Sequence, residues 1–427
     1  MVEGRFQGGY VRRVVDDELD VAFADLAAVL LDGPKGVGKT ATAEPRCVTI
    51  RRLDKVAERV VIAADPSVIA LDLPPVLIDE WHRIPEVWDA VRRLVDDDAT
   101  PTHFLMTGSA PTTATHSGAG RIATIRMRPL CLEERGIAEP TVSFQTLIRG
   151  ERPRINGRCK LGLADYVDEI MAGGFPGLRH LTGPSLTRQI DGYLQRIVDH
   201  DLPEAGHNVR RPATVLAWLR AYAAATSTTA SWESIRGAAT GGTVDKPAKT
   251  TTVMYTELLK ALRILDPIEA WVPSKNHFSR LASAPKHHLA DPALAVRLLR
   301  RTRQHLLTGN EDHLPVPADG TLLGNLFESL VALSVRTYAQ RCSAEVSHLR
   351  IDNGRHEVDF ILDTGNGIVA LEVKLSADID DHDVRHLRWL KQELGDQLLD
   401  AAVITTGPEA YRRPDGIAVI PLGLLGK

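Results

Sequence analysis

The 427-residue chain carries 51 Lys and Arg against 55 Asp and Glu, a net charge of -4, with 44% hydrophobic residues. That length can fill two or three cores, and the charge excludes a global basic field for nucleic acid, so any DNA contact has to be local. Four cysteines without C-x-x-C spacing argue against a zinc site, and no apolar run approaches membrane-spanning length. The expectation is a soluble cytoplasmic protein with no membrane partner.

Taken in order, Tyr10 to Leu26 alternates charged and apolar residues at helical spacing and leads into the apolar run Ala27 to Leu31. Next comes Gly33-Pro34-Lys35-Gly36-Val37-Gly38-Lys39-Thr40, continued by Ala41, which fits G-x-x-x-x-G-K-[ST]. The glycines let backbone N–H groups turn inward around a phosphate. Lys39 would reach the β- and γ-phosphates and Thr40 would sit on Mg²⁺; a chance surface turn is the bland alternative. Pro45 should kink or end the helix that starts here. Arg59 to Ala63 fits either strand or helix.

Pro75 to Glu80 is an apolar run ending in two acids, which reads as a buried parallel strand. Asp79 is then the acid that holds Mg²⁺ through water and Glu80 the group that polarises the attacking water. The alternative is an acid pair capping the next helix. A third strand, His103 to Thr107, runs into Gly108-Ser109, so Thr107 and Ser109 are sensor candidates unless they form a simple turn. Arg121, ahead of Arg126 and Arg128, reads as an arginine finger or as part of a solvated basic loop.

Gly33 to Thr40, Val76 to Glu80, Met106 to Ser109, Pro129-Leu130 and Glu133 together resemble a prokaryotic family of AAA-like ATPases with a C-terminal domain of unknown function, DUF4143. Gly173-Gly174-Phe175-Pro176, Tyr193 to Leu202, and Ser283 to Asp291 with Pro285-Lys286 extend the resemblance over nearly the whole chain. The basic residue of the family's P-loop is met by Lys35, whereas Pro45 departs from its pattern. The resemblance implies ATP rather than GTP.

Leu161 to Trp271 is mostly helical in pattern. Ser231 caps a short helix, and a second runs from Thr250 to Leu265, where Asp266-Pro267 stops it. Two helices across a turn, followed by Ala270 to Pro273, suggest a winged helix, as the resemblance also implies. Lys246 and Lys249 would touch DNA phosphates, or the unit only packs two catalytic domains together.

Gly324 to Leu330 lies on an apolar helix, while His356 to Leu362 and Gly367 to Lys374 alternate like neighbouring strands. Alternation puts Glu372 and Lys374 on one face, with Asp359 at matching depth and Glu328 reaching in from the helix. This resembles the D…E-x-K core of the PD-(D/E)XK nuclease fold. The resemblance implies that Asp359 and Glu372, with Glu328, hold Mg²⁺ while Lys374 positions the attacking water or neutralises charge at the phosphate. An active nuclease, a nuclease-like fold without turnover, and a plain ion-pair cluster stay open. Asp380 to Asp383 offers metal-binding side chains without convincing spacing.

The expected architecture is α/β. It has a P-loop NTPase parallel sheet in residues 1–150, a helical region with a winged-helix-like element in 151–285, and a smaller nuclease-like α/β domain in 286–427. ATP and Mg²⁺ are the expected cofactors, DNA the candidate partner, and a homo-oligomer completed by Arg121 the candidate assembly. The competing expectation is a nucleotide-dependent DNA- or protein-binding module without nuclease chemistry.

Overall fold

Ala28–Asp32 (β1) divides its side chains between two apolar layers: Val29 and Leu31 face one core, Ala28 and Leu30 another. A strand buried on both faces belongs inside a sheet covered by helices on each side. The computed structural model describes residues 9–108, 120–204, 211–239, 247–271, 284–308, 322–351 and 354–427. In it, β1 is joined by Thr49–Arg52 (β2), Val76–Asp79 (β3), Phe104–Gly108 (β4) and Ile122–Arg126 (β5) in the order β2-β3-β4-β1-β5. All neighbours are parallel. The expected parallel sheet is therefore present.

Helix α1 (Val14–Asp25) precedes β1, as its periodicity predicts, and α2 (Lys39–Ala43) follows the loop. The α2 helix has only five residues, because Glu44–Arg46, with Pro45 inside it, tightens into a 3₁₀ turn. The ambiguous run at Arg59–Ala63 is helical, within α3 (Val56–Ala64), and α4 (Glu86–Asp97) follows β3.

The middle of the chain is helical, as expected: α5 (Phe144–Ile148), α6 (Leu163–Ala172), α7 (Gly183–Arg196), α8 (Leu202–Glu204), α9 (Pro212–Ala224), α10 (Trp232–Ala238) and α11 (Lys249–Ala261). Two short strands, β6 (Val142–Ser143) and β7 (Gly157–Arg158), interrupt it. Ser231 caps α10 by accepting from the Ser234 amide at 3.0 Å. Beyond α11 the chain turns at Arg263, whose φ of 61° is left-handed, and then runs extended. Bridges Leu265↔Leu289 and Ile268↔Lys286 pair it antiparallel with a later segment, and Ala270↔His348 ties it to the C-terminal sheet.

After α12 (Pro292–Leu298) and α13 (Arg303–Thr308), the long helix α14 (Leu322–Arg341) leads into a second sheet. Its strands are β8 (Glu345–Ile351), β9 (His356–Asp363), β10 (Ile368–Lys374), β11 (Leu398–Thr405), β12 (Glu409–Arg412) and β13 (Ala418–Pro421), with α15 (Arg385–Leu394) crossing between β10 and β11. The order is β7-β12-β13-β11-β10-β9-β8. β9 and β10 are antiparallel neighbours, as alternation and the Gly367 turn predict. The last strand, β14 (Leu425–Gly426), pairs with β6. One apolar core runs without a break from α1 and β1 through the helical region to β9, β10 and β11. Among the described residues, no helix is long and apolar enough to cross a membrane.

Candidate functional site

Gly33 and Gly38 are glycines by steric necessity. A Cβ on Gly33 would meet the Met127 carbonyl oxygen at 2.2 Å, and Gly38 has a φ of 98°. The loop they shape brings Lys39 back over itself, its Nζ donating to the carbonyls of Gly33 (2.8 Å) and Pro34 (3.0 Å). Burial lowers the Lys39 ammonium to about 8 against the opposing pull of Glu80, Asp32 and Asp79. It has no carboxylate in ion-pair range among the described residues, so an anion entering the loop gains a poorly satisfied cation. Because α2 is so short, attraction of that anion falls on loop amides and Lys39 more than on a helix dipole.

The Thr40 hydroxyl donates to Asp79 Oδ1 at 2.8 Å, and the Thr107 hydroxyl donates to the same oxygen. Hydroxyl and carboxylate oxygens one hydrogen bond apart beside a phosphate loop are the hard donors that Mg²⁺ takes, so these residues fit that ion. Glu80 follows Asp79 with φ 57° and ψ 43°, left-handed for a side-chain-bearing residue, and its amide donates to Thr107 Oγ1 at 3.3 Å. Such backbone strain gathers at functional positions. Burial raises the Glu80 carboxyl above its ordinary range, with Lys39 opposing.

Other residues assigned from sequence lie differently. The Lys35 ammonium is held by Asp201 (2.7 Å) and Glu204 (3.1 Å), next to the Tyr193 hydroxyl that donates to its carbonyl. Its side chain clasps the helical region, while its main chain stays in the loop beside Pro34, Gly36, Val37 and Ala41. Ser109 lies outside the described residues, as does Lys246. Arg121 lies away from the loop of its own chain. It precedes Ile122, which is in register with Ala28 at the far end of β1. One strand length, about 13 Å, separates that end from the loop, and Arg121 pairs there with Asp96 at 2.8 Å. Strand polarity decides this, and Arg121 is absent from its own chain's phosphate site.

Two contributors escaped sequence reading. Arg13, buried ahead of α1, donates to the carbonyls of Val37 (3.0 Å) and Arg128 (2.9 Å) and pairs with buried Glu134 at 2.9 Å, bracing the loop from behind. His82, just past Glu80, is driven down to about 4 by burial, so its ring is neutral at neutral pH. Neither of its ring nitrogens makes a hydrogen bond among the described residues, though Nε2 lies 3.4 Å from Glu80 Oε2. The signal for Arg13 was absent from any local pattern, whereas His82 follows the acid pair directly.

The carboxyl edge of this sheet is bound to the rest of the chain by ions. Asp266, beyond α11, meets Arg126 (3.0 Å), Arg128 (3.1 Å) and Arg336 of α14 (2.7 Å). Burial alone would raise the Asp266 carboxyl, but the three guanidinium groups hold it far below the usual range. Arg263 pairs with Asp32, at the end of β1, at 2.6 Å. Gln340 of α14 donates to the Arg126 carbonyl at 2.8 Å.

At the other end of α14, a cleft of about 270 Å³ is lined by Glu328, Glu357, Asp359, Glu372, Lys374 and His386, among others. The four residues Glu328, Asp359, Glu372 and Lys374 therefore converge, as alternation and the helix position predict. Lys374 Nζ sits 2.8 Å from Glu372 Oε1. A fifth residue joins them. Lys286, 1% exposed, places its Nζ 2.9 Å from both Glu328 Oε1 and Asp359 Oδ1, and 3.6 Å from Glu357 Oε1. Burial, then the charge of Asp359, pushes Glu328 and Glu372 up to about 8, whereas Lys286 outweighs burial and keeps Asp359 below its ordinary value.

This donor set does not fit a divalent metal as it stands. Asp359 Oδ1 is taken by Lys286 and Oδ2 by the Val373 amide at 2.8 Å. Glu372 Oε1 is taken by Lys374, which leaves Glu372 Oε2 as a buried oxygen without a hydrogen-bond partner among the described residues. Asp380, His382 and Asp383 also lie close together, but the Asp380 carboxylate accepts from the His382 and Asp383 amides, as a turn cap does.

Comparison with known proteins divides the chain in three. Residues 26–135 match the model of an AAA domain, 163–305 a domain of unknown function (DUF8612), and 323–425 a domain of unknown function (DUF4143). Two uncharacterized proteins, one from Mycobacterium tuberculosis and one from Mycobacterium bovis, are each 26% identical over 286 residues, 64% of this chain. The match spans 56% of the length of those relatives. Among solved structures, a Walker-type ATPase of Pyrococcus abyssi is 17% identical with a TM-score of 0.40, covering 70% of this chain and 99% of its own. The ORC2 protein of Aeropyrum pernix is 14% identical with a TM-score of 0.32, covering 77% and 98%.

Proposed function

We propose that this chain, an AAA-type P-loop ATPase domain followed by a DUF4143 domain, hydrolyses ATP and uses the nucleotide state to set the condition of its C-terminal acidic cleft. The observation that carries the reading is the convergence of Lys39, Thr40, Asp79, Thr107 and Glu80 at the carboxyl edge of β1, β3 and β4. The amides of Gly33 to Thr40 would cradle the phosphates, and Lys39 would leave the Gly33 and Pro34 carbonyls to meet them. Bound Mg²⁺, held by Thr40 and Asp79, would supply charge neutralisation at the phosphates. Glu80, its carboxyl raised by burial, would align the attacking water and draw its proton in the in-line displacement.

The output path follows from the ion network. The carbonyl of Arg126 and the side chain of Arg128 both engage Gln340, and α14 reaches from there to Glu328, about 18 Å along its axis. The proposed division of labour runs over three units, 1–150, 151–285 and 286–427. DNA is the partner proposed for the cleft, with Asp359, Glu372 and Lys374 as its reactive groups and Lys249 on α11 as a phosphate contact; the protein acts in the cytoplasm. A second reading, a nucleotide-dependent binding module without cleavage, is favoured by the engaged oxygens of Asp359 and Glu372.

The test has two arms. ATP turnover by purified protein, lost in Lys39→Ala, supports the first half; absence of adenine-nucleotide binding with Mg²⁺ present removes it. Incubation with plasmid and single-stranded DNA plus Mg²⁺ or Mn²⁺, against Asp359→Ala, reads the second. Cleavage that survives the substitution takes Asp359 out of the site, and no cleavage with any metal leaves the binding module.

A further inference from the structure

The acidic cleft already contains a cation, and it comes from another part of the chain. Lys286 belongs to the extended segment after residue 283, 73 residues before Asp359 and on the far side of α14 in sequence. Its Nζ contacts Asp359 Oδ1 and Glu328 Oε1, both at 2.9 Å, and stands 3.6 Å from Glu357. A Mg²⁺ ion approaches carboxylate oxygens to about 2.1 Å, so between these two oxygens its charge would stand directly against the ammonium group already there. Lys374 occupies Glu372 Oε1 in the same way. Glu372 lines the cleft, and its Oε2 is buried without a hydrogen-bond partner among the described residues.

We propose that Lys286 is the resident cation of this cleft, taking the seat of a divalent metal between Asp359 and Glu328 and excluding the metal while it is there. This deepens the reading of the C-terminal cleft given above and rests on it. Lys286 is well placed to be a controlled occupant and not a passive counter-ion. Its amide and carbonyl are both bonded to Ile268, at 2.8 and 2.9 Å. Ile268 stands two residues beyond Asp266, the acid gripped by Arg126 and Arg128 at the exit of β5. On its other side the segment is stitched to Thr228 through the His287 amide at 2.9 Å. A shift of Asp266 relative to the ATPase sheet is thereby a shift of the segment that carries the ammonium group.

The experiment is direct Mn²⁺ binding to the full chain without nucleotide, read by calorimetry and by the free-Mn²⁺ electron paramagnetic resonance signal. Wild type should bind weakly. Lys286→Met should bind at least tenfold more tightly, and adding Asp359→Asn should abolish the gain. Lys286→Met leaves acids buried without a partner, so Lys286→Gln, which removes the charge and keeps a hydrogen-bond donor beside Asp359 and Glu328, serves as a second arm in which Mn²⁺ affinity should also rise. If wild type binds Mn²⁺ tightly and Asp359→Asn removes it, the metal reading of the cleft stands and the exclusion by Lys286 is overturned. If neither lysine variant gains affinity over a weakly binding wild type, both are overturned.

Discussion

Thr40 Oγ1 and Asp79 Oδ1 are 2.8 Å apart, joining the end of the phosphate loop to the end of β3. The two residues are 39 positions apart in the chain, and only the parallel pairing of β1, β4 and β3 puts their side chains at one edge. Asp79→Asn keeps the hydrogen bond's shape and removes the charge. ATP binding should persist in this variant without Mg²⁺, while the enhancement of binding by Mg²⁺ disappears and turnover drops by about 10²-fold or more. Nucleotide titrations with and without chelator check it; an unchanged Mg²⁺ response would exclude Asp79 as the metal-side acid.

Removing the loop's ammonium acts on affinity as well as rate. A hydrogen bond to a charged group contributes about 1.5–3 kcal/mol, so Lys39→Ala should weaken ATP binding by roughly ten- to a hundredfold and leave no measurable turnover. Retained turnover would contradict the assignment.

Glu80→Gln isolates the proton-accepting role. The amide preserves size and the left-handed backbone, so ATP binding should be near wild type while turnover falls by roughly 10²-fold. A variant with wild-type turnover would leave Glu80 as a cap and nothing more.

The depressed Lys39 has a pH signature. Its folded value of about 8 lies below the ordinary 10.5, so the folded, nucleotide-free protein gives up a proton that the unfolded chain still holds between those values. Stability from this group therefore rises with pH across that window. Phosphate binding reverses the shift, because the anion favours the ammonium form. Calorimetry in buffers of different ionisation enthalpy should detect uptake of about half a proton per ATP at pH 8 and almost none at pH 6.5. Equal values at the two pH settings would show that Lys39 keeps its charge in the free loop.

Asp266 is expected to be the costliest polar position to neutralise. Asp266→Asn leaves Arg126, Arg128 and Arg336 converging on a neutral amide, and breaking a buried ionic cluster costs about 3–5 kcal/mol. Because the folded carboxyl is held below its ordinary value of 3.8, its stabilisation is complete above that value and fades as pH falls further. Urea midpoints should therefore drop sharply for the variant at pH 7, and the gap to wild type should narrow in acid. A gap independent of pH would point to lost shape and not lost charge.

Local pattern carried much of this protein. The loop from Gly33 to Thr40, the apolar runs ending at Asp79 and Thr107, the stop imposed by Pro45, and the alternation that sets Glu372 beside Lys374 all depend on neighbours a few residues away. Backbone sterics and the two-residue strand repeat make such features legible without a fold. Position across the fold was decided elsewhere. The direction of β5 sends Arg121 to the edge opposite the phosphates. Packing of the helical region brings Lys35 to Asp201 and Arg13 to Glu134. The pairing of Ile268 with Lys286 delivers an ammonium to acids 42 and 73 residues further along. Such meetings depend on register and on which faces are buried together, and a linear chain records neither for residues so far apart.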